Sequence, residues 1–311
     1  MSPQQRIAIL GAGALGAAYA SRFYDLGPAC IAFVAAGERF ERLQRDGVIV
    51  NGTVYPIPVV RPEATAAPAD LILVALKHHH LPGALDGLER LVGEDTIFLS
   101  VMNGLDSEEF LGERFGMERV LYAVAVGIDA QRQGNSVRFS QIGTVFFGEA
   151  DNTRPTPRVL ALQALFNRAG IPWQTPPDML RYLWWKFMIN VGINQPSAVL
   201  RAPYGVFQTS PDAQAIMEAA MREVIALAEA AGVNLTGQDV TGWYEFLHTL
   251  DPAGKTSMLQ DVEAGRKTEV EMFAGKVIAL GQQYGIPTPV NEVLLHAINV
   301  IELGRAGSCD V

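Results

Sequence analysis

Residues 7–16 of the chain read IAILGAGALG, a short apolar run followed by three spaced glycines. The run predicts a buried strand, and a helical pattern follows the glycines and continues to Leu26. In a dinucleotide-binding βαβ unit, Gly11 would permit a tight turn, Gly13 would let the backbone approach a pyrophosphate, and Gly16 would allow close packing of helix on strand. The amino terminus of the helix would offer amide groups to the phosphates. We therefore predict a nucleotide site, with a purely structural glycine turn as the alternative, made of Gly11, Ala12, Gly13, Ala14, Leu15 and Gly16.

The end of the second predicted strand, residues 30–34, bears on which dinucleotide is bound. It lies about 20 residues beyond the glycines, where an acidic residue would accept the ribose hydroxyls of NAD and a basic residue would hold the 2′-phosphate of NADP. Glu38 stands slightly late for the first role, whereas Arg39 and Arg42 suit the second, and all three could equally be solvated helix charges. The pattern favours NADP, with NAD as the alternative, and Arg39 is the predicted cofactor-binding residue.

Two further buried strands end in polar residues. Residues 70–76 form a nearly continuous apolar run followed by Lys77, and residues 96–102 form another that is followed by Asn103. Ligands of open α/β sheets bind at the carboxyl ends of the strands. Lys77 is therefore a candidate contact for cofactor or substrate, and Asn103 for ribose, nicotinamide or substrate. The alternatives are a surface lysine and a turn-forming Asn-Gly pair.

The remaining strand patterns predict two hairpins. Residues 48–55 surround Asn51-Gly52, which suits a type I′ turn. Residues 137–139 and 144–147, joined through Gly143, predict a second antiparallel hairpin.

Strand patterns end near Pro176-Pro177, and helical periodicity takes over from Asp178. Five helices are predicted, over residues 179–200, 211–231, 237–250, 259–284 and 288–303. We therefore predict an α/β fold in which a Rossmann-like dinucleotide-binding domain, residues 1–176, is followed by an all-helical substrate and catalytic domain, residues 177–311.

Composition excludes several classes of function. A formal net charge of −9 argues against nucleic acid and anionic membrane as partners. The chain has no uninterrupted apolar run of about 20 residues, so no membrane span is predicted. Two cysteines, Cys30 and Cys309, imply no disulfide framework and fit a reducing, cytoplasmic compartment. The adjacent histidines 78–80 cannot all face one ion from a regular element, so no metal site is predicted.

A polar row stands out in WWKFMINVGIN, residues 184–194. On a helix, Lys186, Asn190 and Asn194 recur every four residues and share one face, while apolar side chains cover the others. Desolvating such groups costs about 1 to 3 kcal/mol for each unsatisfied one, so the row is predicted to face a cleft or a ligand. The alternative is a core row whose members satisfy one another.

The segment TSMLQDVEAGRKTEVEMF, residues 256–273, carries two more candidates. Ser257 and Gln260 match a capping box, so Ser257 is predicted to begin the helix, and its hydroxyl could also hold a substrate carboxylate. Glu269 lies 12 residues further on, about 18 Å along an unbroken helix. The two could act together only if Ser257 preceded the helix or Gly265 interrupted it.

Together these motifs resemble the ketopantoate reductase (2-dehydropantoate 2-reductase) family. The resemblance rests on GAGALG at 11–16, Lys77, Asn103-Gly104, WWKFMINVGINQPSAV at 184–199 and SMLQDVEAGRKTEVE at 257–271, in the family's order. It implies a Rossmann domain, a helical domain and an active site in the cleft between them. It also implies roles for individual residues: Lys186 as the catalytic lysine, Glu269 as its acidic partner, Asn103, Asn190, Asn194 and Ser257 as substrate contacts, and Lys77 near cofactor and substrate.

The implied function is NADP(H)-dependent reduction of ketopantoate to pantoate, a step of pantothenate biosynthesis, with Lys186 as general acid and base. One departure bears on the cofactor, because many members carry an arginine just after the second strand where this chain has Ala36. Two alternatives stay open: a dehydrogenase of another 2-oxo or hydroxy acid, and a non-catalytic NADP(H) sensor. The partner would be a small 2-oxo acid, and a homodimer is a further alternative to a monomer.

Overall fold

The structure is a computed structural model that describes residues 5–63 and 67–306. The chain divides into two compact units, Met1–Leu180 and Arg181–Val311. The sequence places the change four residues earlier, after residue 176. Cys30 is a free, buried thiol, and Cys309 lies outside the described residues.

All strands found in the described residues belong to the first unit. In chain order they are β1 (Ile7–Leu10), β2 (Ile31–Val34), β3 (Val48–Val50), β4 (Thr53–Tyr55), β5 (Val59–Val60), β6 (Ala69–Val74), β7 (Val92–Ser100), β8 (Val120–Ile128), β9 (Gln131–Gln133), β10 (Ser136–Arg138), β11 (Ile142–Gly148) and β12 (Trp173–Gln174). The helices of this unit are α1 (Ala14–Leu26), α2 (Gly37–Asp46), α3 (Leu81–Ala84), α4 (Ser107–Phe115) and α5 (Pro157–Ala169).

Eight strands form one sheet in the order β12-β11-β8-β7-β6-β1-β2-β5. The six strands from β8 to β5 in that order pair in parallel, and β11 is antiparallel to β8. Chain order reverses between β1 and β6, which is the switch point at which doubly wound sheets bind ligands. The predicted Rossmann-like fold of the first unit is confirmed.

Both faces of this sheet are covered, as its apolar strands predict. On one face, Ile9 packs in a buried cluster with Phe23 of α1 and Phe166 of α5. On the other, Leu10 packs with Leu111 of α4. Because successive strand residues point to opposite faces, β1 contributes to both cores and is fixed at the centre of the sheet.

A second, smaller sheet has the order β4-β3-β10-β9. The predicted hairpin of β3 and β4 turns at Asn51 and Gly52, which both have positive φ. The predicted pairing of residues 137–139 with 144–147 is wrong, because β10 pairs with β9 and β3 while β11 pairs with β8. Gly143 lies inside β11 and marks a close approach to β8, since a Cβ there would lie 2.4 Å from the carbonyl oxygen of Val126.

The described residues of the second unit form helices joined by loops and turns, with no strand. Its helices are α6 (Met179–Leu200, whose first two residues belong to the first unit), α7 (Tyr204–Thr209), α8 (Pro211–Ala230), α9 (Gly237–Leu247), α10 (Ser257–Glu263), α11 (Lys276–Tyr284) and α12 (Pro289–Ala306). No helix of the described residues is long and apolar enough to cross a membrane.

The predicted helix over residues 259–284 is interrupted. α10 ends before Gly265, which has a φ of +66°, and a π-helical turn over Glu271–Gly275 leads into α11. The predicted cap is also wrong by one residue, because Thr256 caps α10 and accepts a hydrogen bond from the Leu259 amide at 3.2 Å. Ser257, the first helical residue, is thereby freed for other contacts.

Candidate active site

The glycine turn has the close contacts that a dinucleotide-binding turn needs. Gly11 has a φ of +106°, and a Cβ on it would lie 2.3 Å from the carbonyl oxygen of Ala75. A Cβ on Gly16 would lie 1.8 Å from the carbonyl oxygen of Gly11. Neither position can hold a side chain without moving backbone, so α1 starts directly against β1.

The amino terminus of α1 is open to an anion. Gly13 caps it without a side-chain hydrogen bond, and its first turn contains no acidic residue. Nothing lies closer than 4.0 Å to where a Cβ of Gly13 would stand. Backbone amides at a helix start bind phosphate well, so the residues present fit a pyrophosphate.

Basic residues stand where β2 leads into α2. Ala36 is the amino-terminal cap residue of α2, and its methyl side chain makes no capping hydrogen bond. Glu38 is exposed in the first turn of the helix, and Arg39 is half-buried. Burial and repulsion from Arg42 lower the pKa of Arg39. Within the described chain, neither arginine forms an ion pair, and the nearby carboxylate of Asp46 is paired with Arg45 instead.

Lys77 and Asn103 follow the carboxyl ends of β6 and β7, both half-buried. β6 pairs with β1 on one side and with β7 on the other. The glycine turn, Lys77 and Asn103 therefore lie along one edge of the sheet, in three successive strand positions. His80, three residues after Lys77, has its pKa lowered by burial and then by the positive charge of Arg39, so Arg39 lies within electrostatic reach of this edge. The described residues contain no cluster of three or more His, Cys, Asp or Glu side chains that could hold a metal ion.

The polar row of α6 is linked to Ser257. Asn194 donates a hydrogen bond through Nδ2 to Oδ1 of Asn190 at 3.1 Å, and the Ser257 hydroxyl donates to Oδ1 of Asn194 at 3.3 Å. Both asparagines are only 5% exposed. The chain of hydrogen bonds thus brings together three of the four predicted substrate contacts, and Thr256 contributes by starting α10 at this place.

Lys186 lies one helical turn before Asn190 and is half-buried. Burial lowers the pKa of its ammonium from 10.5 to about 8. Its apolar surroundings explain the shift, because desolvation disfavours a charged group. At neutral pH the group is still mostly protonated, but it gives up its proton far more readily than an exposed lysine.

Glu269 lies in the irregular segment that Gly265 creates and is half-buried. Its carbonyl oxygen accepts the amides of Met272 and Phe273, which starts the π-helical turn. Its role as the acidic partner of Lys186 stays a prediction.

One residue near the nucleotide site has no signal in the sequence. Arg132 of β9 donates Nη1 to the carbonyl oxygen of Ala12 in the glycine turn and donates Nε to Gly134 at 2.8 Å. It stands 120 residues from Ala12, and only the pairing of β10 with β3 brings the two together. Local patterns do not reveal such a pairing.

Two family models match the chain. The model described as "Ketopantoate reductase PanE/ApbA" matches residues 7–152, and "Ketopantoate reductase PanE/ApbA C terminal" matches residues 178–302. The matched stretches contain the glycine turn, the arginines of α2, and both Lys186 and Ser257 with their neighbours.

The chain is also similar to individual proteins. A 2-dehydropantoate 2-reductase of Aquifex aeolicus is 25% identical over 303 residues, covering 95% of this chain and 96% of the relative. The crystal structure of 2-dehydropantoate 2-reductase from Geobacter metallireducens is 31% identical with a TM-score of 0.83, covering 94% of this chain and 99% of the other. A ternary structure of D-mandelate dehydrogenase with NADH and anilino(oxo)acetate has a TM-score of 0.86 at 19% identity, covering 97% and 100%, and shows a shared fold.

Proposed function

Because the chain belongs to the ketopantoate reductase family, we propose that it reduces 2-dehydropantoate to pantoate with NADPH. Membership makes it an oxidoreductase that depends on NAD or NADP, which removes the non-catalytic sensor from consideration. The choice of NADPH is supported by Arg39 and Arg42, neither of which forms an ion pair with a carboxylate of the described chain. The choice of substrate is supported by relatives that carry this activity.

The observation that carries the proposal is a lysine of lowered pKa beside a buried row of amides. When bound, the reduced nicotinamide supplies a hydride to the 2-oxo carbon, and negative charge develops on the carbonyl oxygen. Lys186 donates a hydrogen bond to that oxygen and then its proton, which completes the alcohol. Solvent returns a proton to the amine, and in the reverse direction the neutral amine accepts one.

The remaining residues orient the two ligands. Asn190, Asn194 and Ser257 hold the hydroxyl and carboxylate of the substrate through the amide and hydroxyl groups that link them. Asn103 and Lys77 contact cofactor and substrate from the edge of the sheet. Glu269 serves as the acidic partner of the site, and the glycine turn binds the pyrophosphate.

A panel of substrates and cofactors separates this proposal from its rival. Loss of nicotinamide absorbance is followed with ketopantoate and a panel of other 2-oxo acids, each with NADPH and with NADH. The highest kcat/KM for ketopantoate with NADPH is the expected result, and a higher value for another 2-oxo acid would replace the proposed substrate. That rival is a dehydrogenase of another 2-oxo or hydroxy acid. Ala36, which offers no charge after β2, bears on the comparison of NADPH with NADH.

A substitution tests the role of the lysine. Lys186→Ala removes a preorganised donor worth about 3 to 4 kcal/mol, so kcat should fall by about 100-fold or more. Lys255→Ala is the matched control, because Lys255 is an exposed lysine of the same unit paired with Glu263 at 2.8 Å. Equal kcat values for Lys186→Ala and the control at saturating cofactor would exclude Lys186 as the proton donor.

We propose two further properties of the whole protein. A cytoplasmic location fits the free, buried thiol of Cys30 and a biosynthetic reaction. A homodimer is checked by light scattering on the eluting protein, where the mass of one chain, 33.7 kDa, would exclude it.

A further inference from the structure

Arg132 is held in place before any ligand arrives. Its Nη1 group donates to the Ala12 carbonyl and its Nε to the Gly134 carbonyl, so two backbone contacts fix the plane of the guanidinium. A guanidinium carries five N–H donors. Three donors therefore remain for a ligand that approaches the glycine turn from the side of α2.

The same guanidinium stands among other positive charges. Arg42 and Arg132 line one cavity of about 680 Å³ beside the carboxyl end of α2, and Asp46 contributes a carboxylate to its wall. Burial and repulsion from Arg42 and Arg39 lower the pKa of Arg132, which places the three arginines within electrostatic reach of one another. None of the three forms an ion pair with a described residue, because Asp46, the carboxylate of the same cavity, is paired with Arg45 at 2.7 Å.

Such a cluster is unusual in a chain whose net charge is −9. Like charges held together in a partly buried place destabilise the folded state unless an anion joins them. Arginine groups bind phosphate oxygens through paired N–H donors, and a phosphate monoester carries up to two negative charges. Arg39 and Arg42 lie on α2, which follows β2, and the 2′ position of a bound adenosine ribose belongs at the end of β2.

From these contacts we infer that Arg132 is a specificity-determining residue that binds the 2′-phosphate of NADP(H) together with Arg39 and Arg42. The inference rests on the proposed use of a dinucleotide and deepens it. It supplies from a distant strand the positive charge that Ala36 does not provide after β2.

The test measures binding of two nucleotides to the full chain by calorimetry. Adenosine 2′,5′-bisphosphate carries the 2′-phosphate, and adenosine 5′-diphosphate carries only the pyrophosphate that the glycine turn would hold. Arg132→Gln should lower the affinity for the bisphosphate by roughly 10- to 100-fold, which is the usual effect of losing a charged hydrogen bond. Affinity for the diphosphate should stay within about twofold.

Two further variants complete the design. Arg138→Gln is the matched control, because Arg138 is exposed on the neighbouring strand β10 and does not line the cavity. It removes the same charge and should leave both affinities unchanged. Arg42→Gln alters no backbone contact of the glycine turn, so it should lower the affinity for the bisphosphate alone. This variant keeps the test decisive if Arg132→Gln fails to fold.

If Arg132→Gln lost affinity for both nucleotides equally, the inference would be overturned. Arg132 would then be assigned to support of the glycine turn. Unchanged bisphosphate affinity in Arg132→Gln, or in Arg42→Gln where that is the variant measured, would also overturn it. Failure of the proposed reaction gives a different result: a wild-type protein that prefers the bisphosphate but reduces no 2-oxo acid. That result would overturn the reaction and support the arginine site.

Discussion

Lys186 is a cation placed on a helix whose neighbouring positions are mostly apolar. Its lowered pKa is a consequence of burial. The group is charged enough to attract a carbonyl oxygen and acidic enough to protonate it. A proton donor works best when its pKa lies near the working pH, and burial achieves that here.

The pH dependence of the reaction follows from this value. Lys186 is protonated below a pH of about 8 and neutral above it, so kcat for reduction should fall tenfold per pH unit above that point. The reverse oxidation should rise through the same pH. Initial rates from pH 6 to 10 at saturating substrates measure both.

Lys186→Arg is the control for this profile, because arginine stays charged throughout the range. Its activity should be lower but independent of pH between 7 and 10. A wild-type kcat that is flat to pH 9.5 would contradict the assignment.

How far single residues could be predicted depended on whether their partners are local. Lys186, Asn190 and Asn194 follow the helical repeat, so their common face is readable from spacing. Ser257 was found as a candidate, but its contact with Asn194 spans 63 positions and needed the fold. Arg132 gave no signal at all, because its role depends on strands that pair across the domain.

At the scale of elements, α10 shows how a one-residue shift changes function. Thr256 caps the helix and also donates to the Ser197 hydroxyl at 3.1 Å, so Thr256→Ala should lower the unfolding free energy by about 1 to 2 kcal/mol. Ser257→Ala should lower it by less than about 0.5 kcal/mol while raising KM for the substrate. Urea unfolding and steady-state kinetics on both variants provide the comparison, and a larger stability loss for Ser257→Ala would restore the serine as the cap.

The glycine turn makes a second prediction at this scale. Gly16→Ala places a methyl group against the Gly11 carbonyl, which neither element can avoid. We expect a loss of at least about 3 kcal/mol in unfolding free energy and weak nucleotide binding. Thermal unfolding with and without NADPH measures both effects.

Gly242→Ala in α9 is the matched control, since no atom lies within 4 Å of its added Cβ. Alanine is a better helix former than glycine, so the free energy of unfolding of this variant should rise by about 0.5 to 1 kcal/mol. Losses of similar size in the two variants would show that the close contact is relieved at little cost.

The elements themselves were predictable where their signals are local. Asn51-Gly52 fixed one hairpin, and the apolar runs gave the parallel strands. The break at Gly265 was foreseen only as a condition for bringing Ser257 and Glu269 together. The partner of β10 was mistaken, because Gly143 is as suited to a close approach of strands as to a turn.

At the scale of the whole molecule, the net charge of the chain is negative, whereas the charge of its proposed nucleotide site is positive. A net charge of −9 repels a phosphorylated cofactor from a distance, while three arginines attract it nearby. Ionic screening acts over about 10 Å at 0.1 M salt, so only the local attraction survives at that concentration. The site, rather than the net charge, therefore governs binding.

This balance predicts a salt effect that depends on the cofactor. Raising NaCl from about 0.05 to 0.5 M should increase KM for NADPH several-fold more than KM for NADH, because only NADPH carries the 2′-phosphate. Comparing the two cofactors cancels the change in long-range repulsion. Parallel changes in both KM values would show that the arginines do not distinguish them.

The small sheet also governs what can happen while the chain is being made. The β3 amides of Ile49 and the adjoining Asn51 bond to the carbonyls of Asn135 and Val137, more than 80 residues later. At translation speeds of about 5 to 20 residues per second, that partner emerges on the order of ten seconds after β3. Until then, β3 has an unpaired edge and Arg132 has not been synthesised. The growing chain therefore completes the proposed nucleotide site late, and β3 is exposed to mispairing.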